Sequence, residues 1–74
     1  MASVKKIIAK MKSAPNTIRP EEVEKVLKAY GYEFGRQKGS HRHYINSSGD
    51  VITIKQESQL KRAYIEDILS RIGE

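Results

Sequence analysis

The segment from Tyr32 to Ile54 reads YEFGRQKGSHRHYINSSGDVITI and contains three strand-like patterns separated by two turns. Aromatic residues alternate with small or charged ones at its start, and a polar run then leads to a turn at Gly39-Ser40. The second pattern is residues 41–45, and the loop after it, residues 46–50, is rich in asparagine, serine and glycine. The third pattern, residues 51–54, is rich in β-branched side chains, which favour strands. Because both connections are short, the segment predicts an antiparallel meander of three strands.

Three helical patterns flank this segment. Apolar residues recur at helical spacing in residues 4–11 and again in residues 23–30. Pro20 and Gly31 predict where the second of these helices begins and ends. The last helix is predicted to carry its apolar residues on one face: Leu60, Tyr64, Ile65, Ile68, Leu69 and Ile72. The element order is therefore α-α-β-β-β-α, an α+β fold in which helices cover one face of the sheet and leave the other face open.

The chain has 74 residues and no cysteine, which limits both its size and its chemistry. This length predicts one domain, residues 1–74, with a small core and no deep cofactor cavity. Fourteen Lys and Arg against nine Asp and Glu give a net charge of +5, which favours a polyanionic partner such as nucleic acid, anionic lipid or an acidic protein. No apolar run approaches the roughly 20 residues that cross a bilayer, and lysines follow the first apolar residues too soon for a signal peptide. We therefore expect a soluble, cytoplasmic protein without membrane association that works at its surface.

Positive charge is concentrated between Glu33 and Asp50, an interval without any acidic residue. It contains Arg36, Lys38 and Arg42, which neighbouring strands are expected to bring close together. Such a cluster can bind phosphate groups. The same cations can also do no more than keep a hairpin soluble, and composition alone does not separate the two interpretations.

Two histidines lie in the second strand pattern. His41 and His43 are two residues apart, so they point to the same face of a regular strand, while Arg42 and Tyr44 point to the other. Because a large aromatic side chain suits the helix-covered face, we predict both histidines, and also Ile45, on the open face. Imidazole titrates near neutral pH and can act as a general base or acid, although such a pair can equally be two surface histidines. Without cysteines or nearby acids the pair does not complete a zinc site, so we predict no metal.

The block Gly39-Ser40-His41-Arg42-His43-Tyr44 resembles a motif of the HicA family, small ribonucleases of bacterial toxin–antitoxin pairs. The resemblance continues in the Ala-Tyr-Gly-Tyr-Glu-Phe segment before it and in Val-Ile-Thr-Ile after it, and it covers residues 19–72. It implies a fold similar to a double-stranded-RNA-binding domain. Residues 1–14 then look like an N-terminal helical extension.

The resemblance implies a toxin that cleaves mRNA without a metal or other cofactor and is neutralised by a HicB-like antitoxin protein. The family's catalytic histidine falls on His41, and His43 is a candidate auxiliary acid that the family motif does not require. RNA binding is expected from six residues: Arg36, Lys38, Gly39, Ser40, Arg42 and Lys55. Two other functions remain open, a non-catalytic RNA-binding module of the same fold and a domain whose basic face docks an acidic protein.

Overall fold

The computed structural model describes residues 3–56 and 60–74. In chain order the elements are helix α1 (Val4–Ser13), a 3-10 turn (Pro15–Thr17), helix α2 (Pro20–Ala29), strands β1 (Glu33–Lys38), β2 (His41–Ile45) and β3 (Val51–Lys55), and helix α3 (Arg62–Ile72). This order confirms the predicted α+β arrangement. Among the described residues, no helix has the length and apolar composition that crossing a membrane requires.

The helix ends follow from local hydrogen bonding. The Ser3 hydroxyl accepts the Lys6 N–H at 3.2 Å and satisfies one of the free donors at the start of α1. At the start of α2, the Glu22 carboxylate accepts the Arg19 N–H at 3.0 Å, next to the proline that was predicted to begin the helix. The helix ends before Gly31, whose φ of 87° is a left-handed conformation that glycine adopts without strain.

The sheet has the strand order β1-β2-β3, and both pairs are antiparallel. Gly39-Ser40 forms the two-residue turn between β1 and β2, and Gly39 has a φ of 60°, which suits the first position of such a turn. Asn46 organises the β2–β3 loop, since its Oδ1 accepts the N–H groups of Ser48 at 3.0 Å and Asp50 at 2.8 Å. Arg71 of α3 donates to the Asp50 carboxylate at 2.6 Å and thereby ties this loop to the helical layer.

A β-bulge at Gly35 interrupts the alternation of β1. Phe34 pairs with Tyr44, but the next paired residue is Arg36, which lies opposite His43. Gly35 is the extra residue, and a Cβ atom there would lie 3.3 Å from the His43 carbonyl oxygen. Strict alternation would have put Arg36 on the same side as Phe34. The bulge places it on the side of His43 instead.

Buried side chains from α1, α2, α3 and one face of the sheet form a single core. The core includes residues of α2, β2 and α3, all of them buried: Val23, Val26, Leu27, Tyr44, Ile65 and Ile68. Helix α1 adds Ile7, Ile8 and Met11. The predicted N-terminal extension therefore packs as an integral part of the domain.

Leu60 is buried, but it precedes α3 rather than lying on it, so its predicted position on the last helix is wrong. Its N–H donates to the Ile18 carbonyl at 2.8 Å. Leu60 is therefore held by a backbone hydrogen bond to the segment before α2 instead of a hydrogen bond within a helix, and its side chain still reaches the core. Apolar spacing alone does not distinguish these two routes to burial.

Candidate active site on the open face of the sheet

The face of the sheet that points away from the helices, called the open face here, carries three rows of cross-strand neighbours. In order from the Gly39-Ser40 turn the rows are Lys38, His41 and Lys55, then Arg36, His43 and Thr53, then Glu33, Ile45 and Val51. Neighbours within a row are about 5 Å apart, and successive rows are about 7 Å apart along a strand. The first two rows form what we call the basic end. The third row together with Gly35 forms the apolar end.

His41 lies at the centre of the first row, between Lys38 and Lys55, and its side chain is exposed. Within residues 3–56 and 60–74 its ring makes no hydrogen bond or ion pair. The ring nitrogens are therefore open to a group arriving from solvent, and the two flanking ammonium groups can hold an anion beside them. A general base needs this combination of reach and a positioned substrate.

His43 occupies the centre of the second row and is half-buried. Its Nδ1 lies 2.9 Å from the Thr53 Oγ1. Because a hydroxyl can donate or accept, this bond fixes the orientation of the ring in either tautomer, and Nε2 is the ring nitrogen left for a substrate. In the described part of the chain, no three His, Cys, Asp or Glu side chains gather closely enough to hold a metal ion.

Three cations give the basic end its charge. Arg36 and Lys38 are exposed and Lys55 is half-buried, and no described carboxylate forms an ion pair with any of them. Glu33 is in the third row of the open face, and its carboxylate is therefore at the opposite end from His41. The face is therefore polarised, and a phosphate is favoured at the end that carries His41.

Arg42 lies on the opposite side of β2, facing the helices. Its Nη2 is 3.4 Å from Glu24 Oε2, and its guanidinium carbon is 4.7 Å from the centre of the Phe34 ring. The expectation that neighbouring strands bring Arg42 beside Arg36 and Lys38 is wrong, because consecutive side chains of a strand point to opposite faces. No observation tests the RNA contact predicted for Arg42, and its charge is already paired with the Glu24 carboxylate on the other side of the sheet.

A polar cluster between β2 and α2, on the side of the sheet that faces the helices, was not predicted from the sequence. The Tyr44 hydroxyl donates to the Glu24 carboxylate at 2.5 Å, and Lys28 lies 3.2 Å from the same carboxylate. The Tyr44 hydrogen bond is the main reason why the pKa of Glu24 lies below its ordinary value, with Lys28 and Arg42 lowering it further. Burial, followed by this bond, raises the pKa of Tyr44. The cluster anchors β2 to α2. Strand alternation predicted only that Tyr44 and Arg42 face the helices, and it did not predict their bonds to Glu24.

The turn residues Gly39 and Ser40 close the basic end. The Gln37 side-chain amide donates to the Gly39 carbonyl at 2.9 Å, and the Gln56 N–H donates to the Ser40 carbonyl at 2.6 Å. Both residues are exposed, and both directly precede His41. Their predicted RNA contacts stay predictions.

A shallow depression lies where the second row meets the apolar end. It is lined by Gly35, Arg36, His43, Ile45 and Val51. Ile45 and Val51 are each 43% exposed, which agrees with the predicted position of Ile45 on the open face. The sequence did not predict the depression, because its shape depends on the bulge at Gly35.

Comparison with protein families identifies this arrangement with a known group. The family described as the HicA toxin of bacterial toxin–antitoxin matches residues 20–73, so α1 precedes the matched region. Neither the comparison with curated proteins nor that with solved structures gave a match. Because the match covers well over half of the chain and includes every row of the open face, the chain belongs to the HicA family of toxins from bacterial toxin–antitoxin systems.

Proposed function

We propose that this protein is an mRNA interferase, the toxin of a type II toxin–antitoxin pair, and that His41 is its general base. Membership of the HicA family supports the toxin assignment. The observation that carries the catalytic assignment is the position of His41, an exposed imidazole between Lys38 and Lys55 on the open face.

The reaction begins when the His41 ring takes the proton of an RNA 2′-hydroxyl. The 2′-oxygen attacks the adjacent phosphorus, the bond from phosphorus to the 5′-oxygen of the next nucleotide breaks, and a 2′,3′-cyclic phosphate and a 5′-hydroxyl result. Lys38, Lys55 and Arg36 stabilise the negative charge that develops on the phosphoryl oxygens. All reacting groups belong to the RNA and to this chain, so the route uses no metal or cofactor. DNA is not a substrate because it lacks the 2′-hydroxyl.

His43 is the candidate acid for the leaving 5′-oxygen. Histidines two residues apart on one strand face are about 7 Å apart, so one phosphate fits between the two rings. The bond from Nδ1 to Thr53 orients the His43 ring and leaves Nε2 to deliver the proton. His41 and His43 then act on opposite sides of the same phosphorus.

The partner that follows from this surface is a HicB-like antitoxin with acidic side chains. Arg36, Lys38 and Lys55 repel one another, so a cover that brings carboxylates to the basic end is favoured electrostatically. Such a cover leaves the core on the other side of the sheet untouched. It inhibits by occupying the space in front of His41.

Cleavage of a defined single-stranded RNA by purified His41→Ala tests the catalytic assignment. We expect complete loss of cleavage, a smaller loss for His43→Ala, and wild-type cleavage for the control Ser47→Ala, which is exposed in the β2–β3 loop at the opposite end of the sheet from His41. Circular dichroism checks that each variant is folded. Cleavage that survives in His41→Ala refutes the assignment, and a wild-type protein that binds RNA without ever cleaving it establishes the non-catalytic RNA-binding module instead.

A further inference from the structure

The depression at the apolar end contains features that phosphate binding does not use. Ile45 and Val51 are cross-strand partners, each 43% exposed, on an otherwise polar face. Gly35 leaves room beside them, since the ideal position of its Cβ is only 3.8 Å from the Ile45 side chain. These residues form an apolar floor one row from His43 and two rows from His41, which is about 7 Å and about 14 Å along the strand.

We propose that this depression is a binding subsite for one nucleobase of the RNA, next to the phosphate that the basic end holds. The proposal rests on the function proposed for His41, and the residues that distinguish it, Ile45 and Val51, have no part in that reaction. Single-stranded RNA combines phosphates with flat, weakly polar bases, and proteins bind its unstacked bases on apolar surfaces, imidazole rings and guanidinium planes. The depression offers all three surfaces, in Ile45 and Val51, in His43 and in Arg36.

Charge decides which part of the RNA lies where. The basic end attracts the phosphate, whereas the third row contains the Glu33 carboxylate and repels it. A base is uncharged and loses nothing at that position. The RNA is therefore oriented along β2, with a phosphate at the histidines and a base on Ile45 and Val51.

The subsite is also held firmly in place, which binding of a small flat group requires. Arg71 donates to the Val51 carbonyl at 3.3 Å and to the Asp50 carboxylate at 2.6 Å, so α3 fixes the start of β3. The Thr53 hydroxyl holds the His43 ring at the other side of the depression. A preformed site of this kind adds affinity because little ordering remains to be done on binding.

The test is RNA affinity of the double variant Ile45→Thr/Val51→Thr, made in a His41→Ala background so that the RNA stays intact. Threonine keeps the β-branched shape of both exposed positions and replaces part of their apolar surface with a hydroxyl group. The probes are a fluorescein-labelled oligoadenylate, read by fluorescence anisotropy, and inorganic polyphosphate, which carries phosphates without bases. Tyr30→Ser is the matched control, since Tyr30 is 37% exposed and bonds to Glu74 rather than to the open face.

We expect the double variant to bind oligoadenylate about fivefold more weakly or worse, with the salt dependence unchanged, because it loses apolar contact with a base and no phosphate contact. Polyphosphate binding and the Tyr30→Ser control should equal the parent. Unchanged oligoadenylate affinity overturns the subsite and leaves the role of His41 intact. The subsite is also overturned if the double variant loses as much affinity for polyphosphate as for oligoadenylate. It is overturned as well if the double variant binds RNA normally but binds the antitoxin more weakly, because the patch then belongs to the protein partner. If the parent binds no RNA and the wild-type protein neither binds nor cleaves it, both proposals fail.

Discussion

The salt dependence of RNA binding can be calculated from the three cations of the basic end, none of which forms an ion pair with a carboxylate of residues 3–56 or 60–74. If Arg36, Lys38 and Lys55 each contact one phosphate of single-stranded RNA, the slope of log affinity against log salt is about −2, since each contact contributes about −0.7. A fourfold rise in salt then weakens binding about 18-fold in the parent protein. In Lys38→Gln one contact is lost, and the same rise weakens binding only about sevenfold.

The assay is fluorescence anisotropy of a labelled single-stranded RNA, titrated at several salt concentrations in the His41→Ala background. Arg42→Met is the matched control, because Arg42 is in the same hairpin but faces Glu24 and the Phe34 ring. Methionine retains much of its packing and removes its charge. We expect Arg42→Met to keep the parent slope. The phosphate path along the open face would be refuted if Lys38→Gln kept the salt slope of the parent protein. It would also be refuted if the salt slope of Arg42→Met became as shallow as the one expected for Lys38→Gln.

Three further predictions concern the scaffold that presents the site. Tyr44→Phe should lower the free energy of unfolding, measured in urea, by about 1 kcal/mol at neutral pH. Because the folded-state pKa of Glu24 lies below its ordinary value of 4.5, the difference between the two proteins should shrink as the pH falls below 4.5. A difference that stays constant with pH would contradict the bond from Tyr44 to Glu24. Gly35→Val should reduce RNA cleavage and also lower the free energy of unfolding by about 1 kcal/mol or more, because a Cβ atom at position 35 lies 3.3 Å from the His43 carbonyl oxygen. Wild-type cleavage together with wild-type stability would show that the bulge is not tightly packed. Met11→Ala should destabilise the protein by about 2–5 kcal/mol, since Met11 is only 1% exposed, and a change near zero in urea unfolding would mean that α1 is dispensable.

Local patterns were sufficient to predict the elements and the two faces of β2. Alternation assigned His41 and His43 to the open face and Tyr44 to the core, and the structure confirms these positions. Gly39-Ser40 identified its turn because few residues other than glycine adopt a positive φ there. These features depend on neighbours in the chain, which a sequence displays directly.

The features that were missed depend on contacts between distant residues. The bulge at Gly35 turns Arg36 toward His43, and only the pairing of β1 with β2 reveals it. The bond from Tyr44 to Glu24 joins residues 20 positions apart on a strand and a helix. Neither periodicity nor composition encodes such contacts, so the number and place of the usable cations could not be derived before the fold was known.

The chemical structure of the RNA ends is the most direct test of the central claim that His41 activates a 2′-hydroxyl. Wild-type protein is incubated with a single-stranded RNA and with the same RNA carrying 2′-O-methyl groups, and the products are analysed by mass spectrometry. The account predicts products that end in a 2′,3′-cyclic phosphate and begin with a 5′-hydroxyl, and no cleavage of the methylated RNA or by His41→Ala. Products with 3′-hydroxyl and 5′-phosphate ends, or cleavage of the methylated RNA, would contradict it.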